Sequence, residues 1–114
     1  MSGSTVAAIG ALVDAHRELV PVLDEHLQDN DGQVLPHLVL AEIIRWLVAR
    51  RASHPADCRS ILDWLRVEYG RGPDDVRDLI AVSGVQIIPD PGQPGSELRD
   101  LLGQELRQVD PWLA

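Results

Sequence analysis

The stretch from Leu38 to Val48 leaves the chain few ways to fold. Leu38, Val39, Leu40, Ile43, Ile44, Trp46, Leu47 and Val48 cover most of the circumference of any helix drawn through them, and only Glu42 and Arg45 mark a wet edge. Pro36 suits the first position of such a helix, where its missing N–H costs nothing, and Arg50 and Arg51 fall in the last turn, where cations favour the carbonyl end of the helix dipole. A helix apolar on nearly all sides must be the central element of a small domain. The flanking segments then have to supply amphipathic helices that cover it.

They carry that pattern. At about 100° per residue, Val6, Ile9, Leu12, Val13, His16, Leu19, Val20, Leu23 and Leu27 share one arc. Pro21 interrupts the arc, which predicts either a kinked helix from Thr5 to Gln28 or two helices meeting near Val20. Asp29-Asn30-Asp31-Gly32 reads as a turn. After His54-Pro55 the positions Cys58, Ile61, Leu62, Leu65 and Tyr69 give a buried face, with Gly70 placed to end that helix. Gly72-Pro73-Asp74-Asp75 opens the next, whose inner face is Val76, Leu79, Ile80, Ser83 and Ile87. Residues 89–95 hold three prolines and two glycines and form a loop. A last helix is expected from Ser96, with Leu98, Leu101, Leu102, Leu106 and Val109 as its stripe and Asp110-Pro111 as its stop. The expectation is an all-α single domain, a bundle of about five helices over 1–114, with residues 1–4, the 89–95 loop and a 110–114 tail as its flexible parts.

Composition then bounds function. The chain has 114 residues, 45% of them hydrophobic, enough for one core. No apolar run is long enough to cross a bilayer, no basic leader precedes a hydrophobic segment, and the single Cys58 requires no oxidising compartment, so a cytoplasmic location is expected. All ten basic residues are Arg. Charge is sorted by region: −5 over residues 1–33, +2 over 34–72 and −5 over 73–114, making up the net −8. With a pI near 4.7 the molecule repels phosphate backbones, which argues against nucleic acid as a partner.

Motifs for chemistry are sparse. His54 and Cys58 have the i, i+4 spacing of zinc helices, but Cys58 also fits the buried stripe, and neither a metal nor a cofactor is expected. Ser83-Gly84 lacks the first glycine of a nucleophile elbow. Glu42 and Arg45 read as an i, i+3 pair at the core's edge, or, with His37, as the lining of a small-ligand or catalytic pocket. Asp14, Glu18, Glu25 and Asp29 fall on the side of the first helix away from its apolar arc and would form one acidic stripe if the kink at Pro21 is mild. Asp74, Asp75 and Asp78 form a second acidic group. Trp64, near Arg66 and Arg71, belongs to a residue type that anchors interfaces, although packing explains it as well.

Leu35-Pro36-His37-Leu38 opening a helix that contains Trp46, then Leu79-Ile80-Ala81-Val82-Ser83, then Leu101-Leu102-Gly103 with Leu106, resemble a group of small bacterial proteins of unassigned function. Gly84 departs from that pattern, which would place a large apolar residue there. The resemblance implies a small all-helical domain and carries no activity or catalytic residues. In size and acidity alone the chain is similar to bacterial immunity proteins and antitoxins. The expected function is therefore a protein interaction module that binds a basic partner through an acidic face. The alternatives are a small-ligand protein or enzyme using His37, Glu42 and Arg45, and an oligomerising module using Trp112 and the last helix.

Overall fold

A computed structural model describes residues 3–113. Its centre is α3 (Pro36–Arg50), entered from Leu35 in extended conformation with Pro36 in the first turn. Val39, Leu40, Ile43, Ile44 and Leu47 are all 0% exposed. Full burial of side chains this size stabilises a fold by about 1.5–3 kcal/mol each. Four helices meet α3: α1 (Gly3–Ala15), α2 (Val20–Asp29), α4 (Pro55–Arg71) and α5 (Asp74–Ser83). The helix α6 (Gln104–Arg107) packs on α4. No strand forms among the described residues, and the domain is all-α. The radius of gyration, 13.2 Å, equals the value of about 13 Å expected for one compact body of this length. Among the described residues no helix is long and apolar enough to cross a membrane.

Several elements differ from the periodicity. Of the two alternatives for the first arc, the structure has two helices, the second starting at Val20; α1 ends before His16 (φ −130°, ψ 80°), which is followed by a 3-10 turn over Arg17–Leu19. Pro21 sits in the first turn of α2, where no intrahelical N–H partner is lost, so the proline starts the second helix and does not kink the first. Helix α1 begins at Gly3, inside the segment expected to be flexible, and Ser4 donates to Asp75 at 2.6 Å to join α1 to α5. Helix α4 passes Gly70 and ends at Arg71, with the N–H of Gly72 bonded to the carbonyl of Glu68 at 2.7 Å.

Helix α5 stops at Ser83, and Val85 and Ile88, not Ile87, complete its buried surface through a 3-10 turn. Gly84 permits the stop. A Cβ there would lie 2.4 Å from the backbone oxygen of Ile80, so the large apolar side chain that the resemblance calls for has no room. Gly95 is equally constrained: its φ is +97° and a Cβ would stand 2.6 Å from Val48 Cγ1, which seats the 89–95 loop against α3.

The expected last helix is a correction. Ser96–Leu101 is a 3-10 helix, Leu102 and Gly103 are extended, and only Gln104–Arg107 is α-helical. Leu98, Leu102 and Leu106 still reach the core. A buried ion pair accompanies the break. Arg99 (4% exposed) donates Nη1 to Asp110 Oδ2, Nη2 to the carbonyl oxygens of Ile88 and Pro89 at 2.8 and 3.1 Å, and Nε to Pro89 O at 3.3 Å. Asp110, expected in a flexible tail, is 0% exposed and also accepts the N–H of Trp112 at 2.9 Å. Eleven residues of straight helix would part Arg99 and Asp110 by about 16 Å, so the chain has to break between them.

Removing one partner of such a pair strands the other charge in the core. Arg99→Met is expected to cost about 3–5 kcal/mol, and Arg99→Met with Asp110→Leu to recover most of that loss, in urea denaturation.

Candidate functional site

Helix α2 buries a single residue among its ten, and it is His26, whose side chain is 0% exposed. The ring is held from both ends. The N–H of Leu35 donates to Nε2 at 3.0 Å, so Nε2 carries no proton and the ring hydrogen sits on Nδ1. Nδ1 lies 2.9 Å from Glu42 Oε1 and donates to it. Asn30 Nδ2 stands 3.3 Å from the same nitrogen but donates to the His26 carbonyl at 2.8 Å, which is the bond this tautomer permits. One imidazole thus joins α2, the 30–35 turn and α3, and fixes the Glu42 carboxylate in place.

Above this joint lies a cleft of about 320 Å³ between α2 and α3, lined by Val22, Glu25, His26, Asp29, Glu42, Arg45 and Trp46. Trp46 is half-buried against the core, with the Arg50 guanidinium 4.3 Å from its ring centroid. Arg45 is exposed and makes no ion pair among the described residues. Glu25 and Asp29 are exposed on adjacent turns of α2. The cleft therefore holds three carboxylates, one guanidinium and an aromatic wall.

The residues singled out by sequence are partly gathered here. Glu25, Asp29, Glu42 and Arg45 converge on the cleft. His37 does not: its Nδ1 lies 2.6 Å from the buried Ser83 Oγ, which ties the start of α3 to the end of α5. Asp14 ends α1 and pairs with Arg17 at 3.6 Å, both largely in water, where such a pair contributes little. Glu18 lies on the intervening turn, so the stripe is divided among three elements. Asp74 and Asp78 are exposed on α5, while Asp75 accepts from Ser4 and from the N–H of Val76. Trp64 is half-buried and packs on the core.

His26 and Trp46 complete the cleft without having been marked as site residues. His26 falls outside the apolar arc drawn from the sequence, and the one local signal for it is Asn30 four residues on, whose amide reaches back to its carbonyl.

His54 and Cys58 do not meet. His54 precedes α4 on the surface beside Ser53, 2.8 Å from its hydroxyl, and Cys58 points into the core with Sγ 3.5 Å from the Leu47 carbonyl. No group of three or more His, Cys, Asp or Glu side chains able to hold a metal forms among the described residues. Burial raises the Cys58 thiol above its ordinary range, Asp57 adds to the rise, and Arg50 opposes it.

Two measurements check these assignments. His26→Leu strands the Leu35 amide and the Glu42 carboxylate and is expected to cost about 1–3 kcal/mol, with faster hydrogen exchange at Leu35; Glu42→Gln keeps an acceptor for Nδ1–H and should cost about 1 kcal/mol or less. For Cys58 the folded state favours the neutral thiol. Its contribution is complete below the unfolded thiol's ionisation and is lost as pH rises through the raised folded value, so the stability difference between wild type and Cys58→Ala should shrink on that alkaline side.

Comparison with protein-family models, with curated proteins and with solved structures finds no match to this chain.

Proposed function

We propose that this chain is a cytoplasmic bacterial interaction module that masks a basic protein partner with the acidic surface of α2 and the turns beside it, as an immunity protein or antitoxin does. The observation that carries this reading is where uncompensated charge lies. Glu18, Asp24, Glu25, Asp29 and Asp31 are all exposed, and none has an ion-pair partner among the described residues. Elsewhere cations are largely engaged. Arg51 pairs with Glu97, Arg66 with Asp63 and Glu105, Arg71 with Glu68 and Arg99 with Asp110, while Arg50 and Arg77 lie over Trp46 and Tyr69.

A surface of one sign accelerates encounter with an oppositely charged target and sets its orientation, and occlusion of the target's own site follows from docking. Asp74 and Asp78 on α5 extend the negative field. Trp64, half-buried against the core, keeps an exposed edge on α4.

The test is association kinetics with a partner isolated on the immobilised chain. A partner rich in Arg or Lys is expected, binding it with a rate that falls as salt rises. Replacing Asp14, Glu18, Glu25 and Asp29 together by Asn or Gln should slow association by roughly tenfold and flatten the salt dependence. An acidic partner, or rates unchanged by the four substitutions, would reject the acidic surface as the binding face.

A further inference from the structure

We infer that the cleft between α2 and α3 binds a small zwitterion of the basic amino-acid class, whose head is held by α3 and whose cationic side chain is held by α2. This goes beyond the masking of a protein partner, because it needs the one guanidinium of an otherwise acidic cleft as well as its carboxylates. Glu42 and Arg45 stand one turn apart on α3 and present a carboxylate and a guanidinium side by side. They match an α-ammonium and an α-carboxylate. Glu25 and Asp29, on successive turns of α2, form the second, purely negative wall.

Three features make this a built site and not a chance grouping of acids. Arg45 makes no ion pair within 4.0 Å among the described residues although three carboxylates share the cleft, so its guanidinium is open to an incoming carboxylate. Glu42 is fixed before any ligand arrives, since one oxygen accepts Nδ1–H of the fully buried His26 and the other is left to accept a second donor. Val22 and the Trp46 ring, braced by Arg50 at 4.3 Å, supply an apolar surface for a methylene stem between the two charged ends. A volume of about 320 Å³ accommodates an amino acid.

The test is calorimetric titration of the full chain with three probes of similar size: L-arginine, agmatine, which lacks the carboxylate, and L-citrulline, which lacks the side-chain charge. L-arginine is expected to bind at least about tenfold more tightly than either analogue, each of which leaves one charged group of the cleft unanswered. Arg45→Gln should abolish the preference for L-arginine over agmatine, lowering affinity for the first without lowering it for the second. Glu25→Gln with Asp29→Asn should lower it to that for L-citrulline. All three positions are at the surface or its edge, and unchanged thermal melting of the variants confirms folding. Absence of heat or of a Trp46 indole NMR shift with L-arginine at roughly 10 mM overturns the inference, because a site this elaborated should exceed the few kcal/mol that such an affinity represents. Equal affinity for agmatine and L-arginine also overturns it, since only charge would then be sensed. Asp14→Asn with Glu18→Gln lies outside the cleft and should weaken the protein partner while leaving L-arginine binding intact, which separates failure of this inference from failure of the masking face.

Discussion

A helix with Val39, Leu40, Ala41, Ile43, Ile44 and Leu47 buried gives only the side of His37, Leu38, Arg45 and Ala49 to water, Leu38 being 41% exposed against the expectation of its apolar character, so its neighbours must come from both ends of the chain. Covering α3 therefore sets the topology. Helices α1 and α2 approach it from the N-terminal side and α4 and α5 from the other, and the segment after Ile88 is drawn back over α4. Burial of these side chains is the largest stabilising contribution, and because it is non-directional it does not fix how each neighbour sits. Direction comes from a few polar contacts at the margin of the core.

Two of these contacts carry most of that load. His26 binds α2 to α3 and to the Leu35 backbone with both ring nitrogens, and Arg99 binds the Ile88 and Pro89 carbonyls to Asp110. No buried side-chain nitrogen or oxygen is left without a hydrogen bond among the described residues. Each contact has a consequence beyond stability. The first holds Glu42 at the wall of a cleft that also receives Glu25, Asp29 and Arg45. The second spans the break in the C-terminal segment, from which Leu98, Leu102 and Leu106 reach the core.

The arrangement of charge has a corresponding logic. Arginines outside the cleft are mostly engaged with carboxylates or aromatic rings, which leaves the outer surface of α2 and its flanking turns negative without compensation. A surface of that kind suits recognition of a basic protein, and the cleft at its edge, with one unpaired guanidinium, suits a smaller ligand with both signs of charge. The two readings use neighbouring residues but make different demands, the first on net field and the second on one guanidinium among the carboxylates.

The periodic pattern of residues 36–50, 55–71 and 74–83 was enough to place three helices and name the central one, because helix burial repeats every three to four positions and depends on local order in the chain. The acidic character of α2 was legible for the same reason. Three things were decided only in three dimensions. His16 and not Pro21 marks the end of α1, since a proline in a first turn and a proline in mid-helix look alike in sequence. The leucine stripe at 98–109 is not one helix, and the buried Arg–Asp pair spanning that segment is out of reach in a straight one. Glu42 and Arg45 lie in a cleft with Glu25 and Asp29 and without His37, because the partner of each polar side chain is set by which helices meet across the core, and one helix's sequence contains no record of its neighbour's position.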